Sequence, residues 1–103
     1  MTKEEILSTL KTLKPKYAKE GFVIMGLFGS HARGEATEKS DIDILIETRP
    51  EFLEKYRGFR AFARLDDIKE ELRSVFHSEI DFVDRQGLVQ HKNDYILKKA
   101  IYV

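Results

Sequence analysis

Seven consecutive apolar residues, Phe22-Val23-Ile24-Met25-Gly26-Leu27-Phe28, constrain this chain more than any other feature. A run of that length and composition is expected of a β-strand buried on both faces. It stops abruptly at Gly29-Ser30. Gly29 can take backbone angles closed to other residues and lets an oxygen approach the main chain. Ser30 brings a hydroxyl and an amide to a helix start, so the turn suits a triphosphate. Ten residues later comes Asp41-Ile42-Asp43, opening a second strand in which Ile42, Ile44 and Ile46 share one face and Asp41, Asp43 and Leu45 the other.

Two carboxylates alternating along a strand have Cα atoms roughly 6.5–7 Å apart, and like charges held close push one another toward protonation. A divalent cation removes that conflict. Oxygen-only ligands select a hard ion such as Mg²⁺, which binds through one or two carboxylates together with substrate phosphates. Glu79-Ile80-Asp81-Phe82-Val83-Asp84 supplies a third carboxylate at Asp81, with Ile80 and Phe82 turned to the core. In a two-metal arrangement Asp81 would serve the attacking side. The metal set expected is therefore Asp41, Asp43 and Asp81, the same three residues being the catalytic set.

The string Gly29-Ser30-His31-Ala32-Arg33-Gly34, followed by Ser40-Asp41-Ile42-Asp43-Ile44-Leu45-Ile46, resembles the signature of the polymerase-beta-like nucleotidyltransferase superfamily. More narrowly, it resembles the minimal nucleotidyltransferase, MntA-like antitoxins of prokaryotes. The likeness continues through Glu79-Ile80-Asp81-Phe82-Val83 and into Ile96-Leu97-Lys98-Lys99-Ala100-Ile101-Tyr102-Val103. It implies an α+β fold with a mixed β-sheet and helices packed on one face. It also implies Mg²⁺-dependent transfer of AMP from ATP, often onto a partner HEPN-domain RNase toxin that the antitoxin silences. Carried over residue by residue, Gly29 and Ser30 hold the phosphates, Asp41 and Asp43 the metals, and Asp81 is the third carboxylate. Two positions depart from the pattern: His31 stands where arginine or an aromatic residue is common, and Asn93 where the closing helix often carries arginine.

A chain of 103 residues is expected to form one domain, spanning 1–103. With 18 basic and 18 acidic residues the formal charge is zero, so the electrostatic footprint of a dedicated nucleic-acid binder is missing and a long RNA or DNA substrate is disfavoured. The domain has room only for the nucleotide-handling unit, which argues for an acceptor supplied by a protein partner or a small molecule. The absence of cysteine excludes disulfides and thiolate sites and fits a cytoplasmic setting. No stretch approaches the ~18 apolar residues needed to span a membrane.

Along the chain, Thr2-Lys3-Glu4-Glu5 reads as a capping box before a first helix carrying Ile6, Leu7, Leu10 and Leu13, which Pro15 is expected to end or kink. A short helical turn over 30–35 and a polar loop over 36–40 lead to the second strand, which Arg49-Pro50 ends. Residues 51–60 read as irregular with at most one helical turn, and 61–76 as an amphipathic helix. A third strand over 79–84, a turn at Gly87 and a final helix over about 89–100 complete the pattern.

Some residues carry two readings. Arg33 either steadies phosphate charge through its planar donor fork, making it a nucleotide-binding residue, or pairs with Glu35, Glu38 or Asp41 on the surface. His31 reads as a residue on the rim of the site, and His77 and His91 as surface or loop histidines. Phe52, Tyr56, Phe59 and Phe62 read as caps on the core, against a docking patch or a wall of the nucleotide pocket. The rival functions are a catalytically silent module that neutralises a partner by contact, and a transferase acting on a small-molecule acceptor.

Overall fold

The computed structural model describes residues 1–86 and 98–103. Helix α1 (Lys3–Ala18) begins with the capping box in place: the Glu5 amide donates to Thr2 Oγ1 at 3.1 Å, and the Thr2 amide to Glu5 Oε1 at 3.0 Å. Of the two outcomes expected at Pro15, an end or a kink, the end does not occur: the helix continues through it to Ala18. An interior proline costs about 3 kcal/mol, and packing beyond it supplies the compensation. Tyr17 is fully buried edge-on against Phe22, and Lys14 Nζ donates to the Val103 carbonyl at 2.8 Å.

Strands β1 (Phe22–Phe28), β2 (Ile42–Thr48), β3 (Ile80–Asp84) and β4 (Ile101–Tyr102) form a mixed sheet in the order β3-β2-β1-β4. β1 pairs antiparallel with β2 and with β4, and β2 pairs parallel with β3. The β1–β2 ladder contains a bulge: Ile24 stands opposite Ile46 and Gly26 opposite Leu45, which leaves Met25 as the extra residue. Alternation therefore changes phase within β1, and Phe22 and Ile24 before the bulge and Leu27 after it all join the same core. That core also takes Ile42, Ile44, Ile46 and Ile80 from the sheet and Ile6, Leu10, Tyr17, Phe52, Ile68, Leu72 and Phe76 from the helices. The helices thus cover one face. Val23 and Leu45 are buried without belonging to that cluster.

Between β2 and β3 the chain differs from the sequence-based expectation. Residues 50–55 form a regular helix, α3 (Pro50–Lys55), with Pro50 in the first turn, where its missing N–H has no partner to lose. One buried anchor, Phe52, against the Phe22 and Tyr56 rings, is enough to hold it, and that leaves no periodic signal to read. Helix α4 (Phe59–Phe76) starts two residues before the expected 61 and buries Ile68, Leu72 and Phe76. The core-capping role holds for Phe52 and partly for Tyr56, but Phe59 is 91% and Phe62 68% exposed. Most of the expected final helix lies outside the described residues, as do Asn93 and His91; residues 98–99 are helical and the unanticipated β4 follows.

An ionic network ties the helical layer together. The Arg64 guanidinium grips both Glu20 carboxylate oxygens at 2.7 Å and reaches Glu71 at 3.2 Å, and the Tyr56 hydroxyl also donates to Glu20. The Arg64 bonds chiefly, with the Tyr56 hydroxyl adding to them, hold Glu20 at a pKa of about 2. Among the described residues no helix is long and apolar enough to cross a membrane.

Candidate active site

Asp43 is the centre of the carboxylate group. It stands opposite Phe28 on one side and in register with Asp81 on the other. Strands in a sheet lie about 4.8 Å apart and registered residues point to the same face, so Asp43 and Asp81 project side by side. Asp41 precedes β2 by one residue and is exposed. The Ile42 amide donates to the Glu79 carbonyl at 2.9 Å, which fixes the entry of β2 against that of β3. Burial raises the pKa of Asp43, and the charges of Asp81 and then Asp41 raise it further, while His31 and Arg33 pull it down.

Gly29 explains how Asp43 is held. Its φ is +75°, in the left-handed region, and a methyl built there would overlap Asp43 Oδ2 and lie 2.9 Å from Cγ. The oxygen that approaches the main chain at this glycine is therefore the Asp43 carboxylate. Helix α2 (Gly29–Arg33) follows directly, and Gly34 closes it at φ +74°. Ser30 lies in its first turn, and its carbonyl accepts the Glu35 amide at 2.9 Å.

The structure thus brings Asp41, Asp43 and Asp81 to the N-terminal ends of two neighbouring strands, with Gly29-Ser30 alongside. The three carboxylates do not close on a single point: among the described residues no group of three or more His, Cys, Asp or Glu side chains is gathered as a metal site. Asp41 and Asp81 are exposed and free to rotate without unpacking, whereas Asp43 is wedged against Gly29. Arg33 takes the surface pairing, its Nε donating to Glu35 at 3.2 Å. His77 is an exposed residue capping α4. His31, expected on the rim of the site, instead has its Nε2 buried without a hydrogen-bond partner among the described residues. The adjacency to Ser30 was the only hint in the sequence. Beside Asp41 an open polar cleft of about 610 Å³ is bordered by Ser40, Arg73 and Glu79.

A glycine turn at the end of a buried strand, beside paired strand carboxylates, is an arrangement suited to nucleotidyl transfer. The nucleotidyltransferase domain family matches residues 4–103, and the chain belongs to that family. It is 30% identical over 105 residues to the protein adenylyltransferase MntA of Thermococcus cleftensis, covering all of this chain and 97% of that protein. It is 40% identical over 93 residues to a "Putative protein adenylyltransferase" of Methanocaldococcus jannaschii (MJ0128), covering 88% and 78% of the two chains. A solved structure described as a "putative minimal nucleotidyltransferase" superposes with a TM-score of 0.72 at 30% identity, covering all of this chain and 97% of that one. The fold is that of the polymerase-beta-like superfamily in its minimal form, and the chain is a nucleotidyltransferase.

Proposed function

We propose that the chain transfers AMP from ATP to a hydroxyl of a partner protein, and that it acts in the cytoplasm as an antitoxin whose acceptor is a HEPN-domain RNase toxin. The observation that carries the transfer reading is the Asp43 carboxylate, wedged against Gly29 and registered with Asp81. Similarity over the full chain to proteins named protein adenylyltransferase supports AMP as the group moved and protein as the acceptor.

The donor set fits Mg²⁺: three carboxylates, no sulfur, and a half-buried Asp43 whose charge folding leaves poorly compensated. Asp41, Asp43 and Asp81 would hold the metal. When bound, Mg²⁺ supplies positive charge that acidifies an attacking hydroxyl and steadies departing pyrophosphate. The remaining work belongs to the protein. The Ser30 hydroxyl and the amides of the Gly29-Ser30 turn hold the triphosphate, with Arg33 available to it if released from Glu35. Asp81, exposed on the outer strand β3, faces the side open to an acceptor and takes the proton of its hydroxyl. The hydroxyl oxygen attacks the α-phosphorus, the bond to the bridging oxygen of the β-phosphate breaks, and pyrophosphate leaves.

The test is incubation of the chain with Mg²⁺, ATP and a candidate HEPN-domain protein as acceptor, followed by intact mass. Gain of one or more AMP units by that partner, lost in Asp43→Asn and Asp41→Asn, is the expected result. A tight complex with no change in mass would replace the transferase with a contact inhibitor.

A further inference from the structure

The loop that delivers Asp41 to the site is held by its own hydrogen bonds. Behind it, Glu35 is tied to α2 through the Ser30 carbonyl; ahead of it, Ile42 is tied to the Glu79 carbonyl at the entry of β3. Between these anchors Thr37, Glu38 and Lys39 are exposed. Glu38 and Ser40 also border two open cavities, of about 610 Å³ and about 670 Å³, so packing does little to fix the path of the chain. Local bonds take over that task. The Thr37 amide donates to Ser40 Oγ at 2.8 Å, and the Ser40 amide donates back to the Thr37 carbonyl at 3.1 Å. The Lys39 amide donates to Thr37 Oγ1 at 3.3 Å, and the two hydroxyl oxygens stand 3.4 Å apart. A short hydroxyl side chain is the kind that closes a turn in this way, by bonding to main-chain groups a few residues away.

We propose that Ser40 is a positioning residue for nucleotidyl transfer, its hydroxyl closing the turn over 37–40 and so fixing the backbone from which Asp41 projects. Asp41 is exposed and is held through its neighbours. On the C-terminal side Ile42 is buried and in register with Ile80. On the N-terminal side the Ser40 clasp does the equivalent work. With both sides fixed, Asp41 needs only a side-chain rotation to join Asp43 at a shared cation. With the clasp open, the backbone at Asp41 must also be ordered when the ligand binds, and ordering one residue is worth about tenfold in an equilibrium constant. The place of Asp41 at the cation rests on the transfer reading; the clasp itself does not.

The probe is Mn²⁺ with α,β-methylene-ATP, whose α–β bridge cannot be cleaved, titrated into the full chain by calorimetry. Ser40→Ala should weaken binding about tenfold, and Ser40→Thr, which keeps the hydroxyl, should bind as wild type does. In an Asp41→Asn chain the same Ser40→Ala change should cost nothing further, because Ser40 acts through the Asp41 carboxylate; a merely structural role would cost the same in both backgrounds. Exchange of the Thr37 and Ser40 amides, followed by NMR without metal or nucleotide, should quicken about tenfold in Ser40→Ala while the circular dichroism stays unchanged. Wild-type affinity in Ser40→Ala, an equal loss in the Asp41→Asn background, or unchanged amide exchange would each overturn the proposal. A wild-type chain that does not bind the probe strikes the metal reading and this role with it, whereas a wild-type chain that binds no better than Ser40→Ala strikes the role of Ser40 alone.

Discussion

Gly29 performs two tasks that a single substitution can separate when paired with the right control. Gly29→Ala imposes a left-handed φ of +75° on a residue with a side chain, and puts its methyl 2.9 Å from Asp43 Cγ and closer still to Oδ2. The backbone term is roughly 1–2 kcal/mol. The steric term displaces Asp43, because non-bonded carbons rest at about 3.5–4.0 Å, so the carboxylate must retreat by about 1 Å. A misplacement of that size costs on the order of 100-fold in rate. Gly34→Ala is the control, with the same left-handed strain at φ +74° and no atom within 4 Å of the added methyl. Both variants should melt lower by about 4–8 °C for each kcal/mol of strain, as expected for a domain of this size. Only Gly29→Ala should lose about 100-fold in AMP transfer, measured by intact mass or pyrophosphate release at a temperature where both are folded. Equal activity of the two variants would refute the idea that Gly29 exists to seat Asp43.

Two further outcomes follow from the charges. Folding raises the pKa of Asp43, first through burial and then through Asp81 and Asp41, so its ionised form is disfavoured in the native state. Asp43→Asn should then melt no lower than wild type at neutral pH, and any advantage should shrink as the pH falls and wild-type Asp43 takes its proton; a lower Tm at pH 7 would contradict this. Glu20 has the opposite sign: its pKa falls from 4.5 to about 2, so its contribution is complete above the unfolded value and is lost as pH drops toward 2. That displacement corresponds to about 3 kcal/mol, and urea unfolding of Glu20→Gln should show a deficit of up to that order at pH 7 that narrows markedly by pH 2.5.

The candidate site was more legible in the sequence than the architecture around it. Gly29-Ser30, Asp41-x-Asp43 and the strand bearing Asp81 obey local rules: a glycine where an apolar run must turn, and period-two alternation that puts isoleucines and aspartates on different faces. What stayed hidden depends on tertiary balance. Pro15 continues a helix because Tyr17 and Lys14 find partners that local propensity cannot anticipate. α3 is held by one phenylalanine and so shows no period. Phe62 fits the apolar spacing of a core helix but falls in the first turn of α4, where it and Phe59 stay exposed. β4 is two residues long, too short for any alternation to register.

The bulge at Met25 connects the unreadable part to the readable one. An unbroken apolar run carries no information about which residue points where, so the phase change inside β1 leaves no trace in the sequence. Without the extra residue, the pairing Ile24–Ile46 would continue with Met25 opposite Leu45 and Leu27 opposite Asp43, and Gly29 would overshoot by one residue, about 3.3 Å. With it, Leu27 turns into the core beside Ile44, Phe28 arrives opposite Asp43, and the left-handed glycine begins where the carboxylate needs room. The chemistry of the site is written in the aspartates and the glycine, but the distance between them is set by a methionine whose identity gives no sign of it.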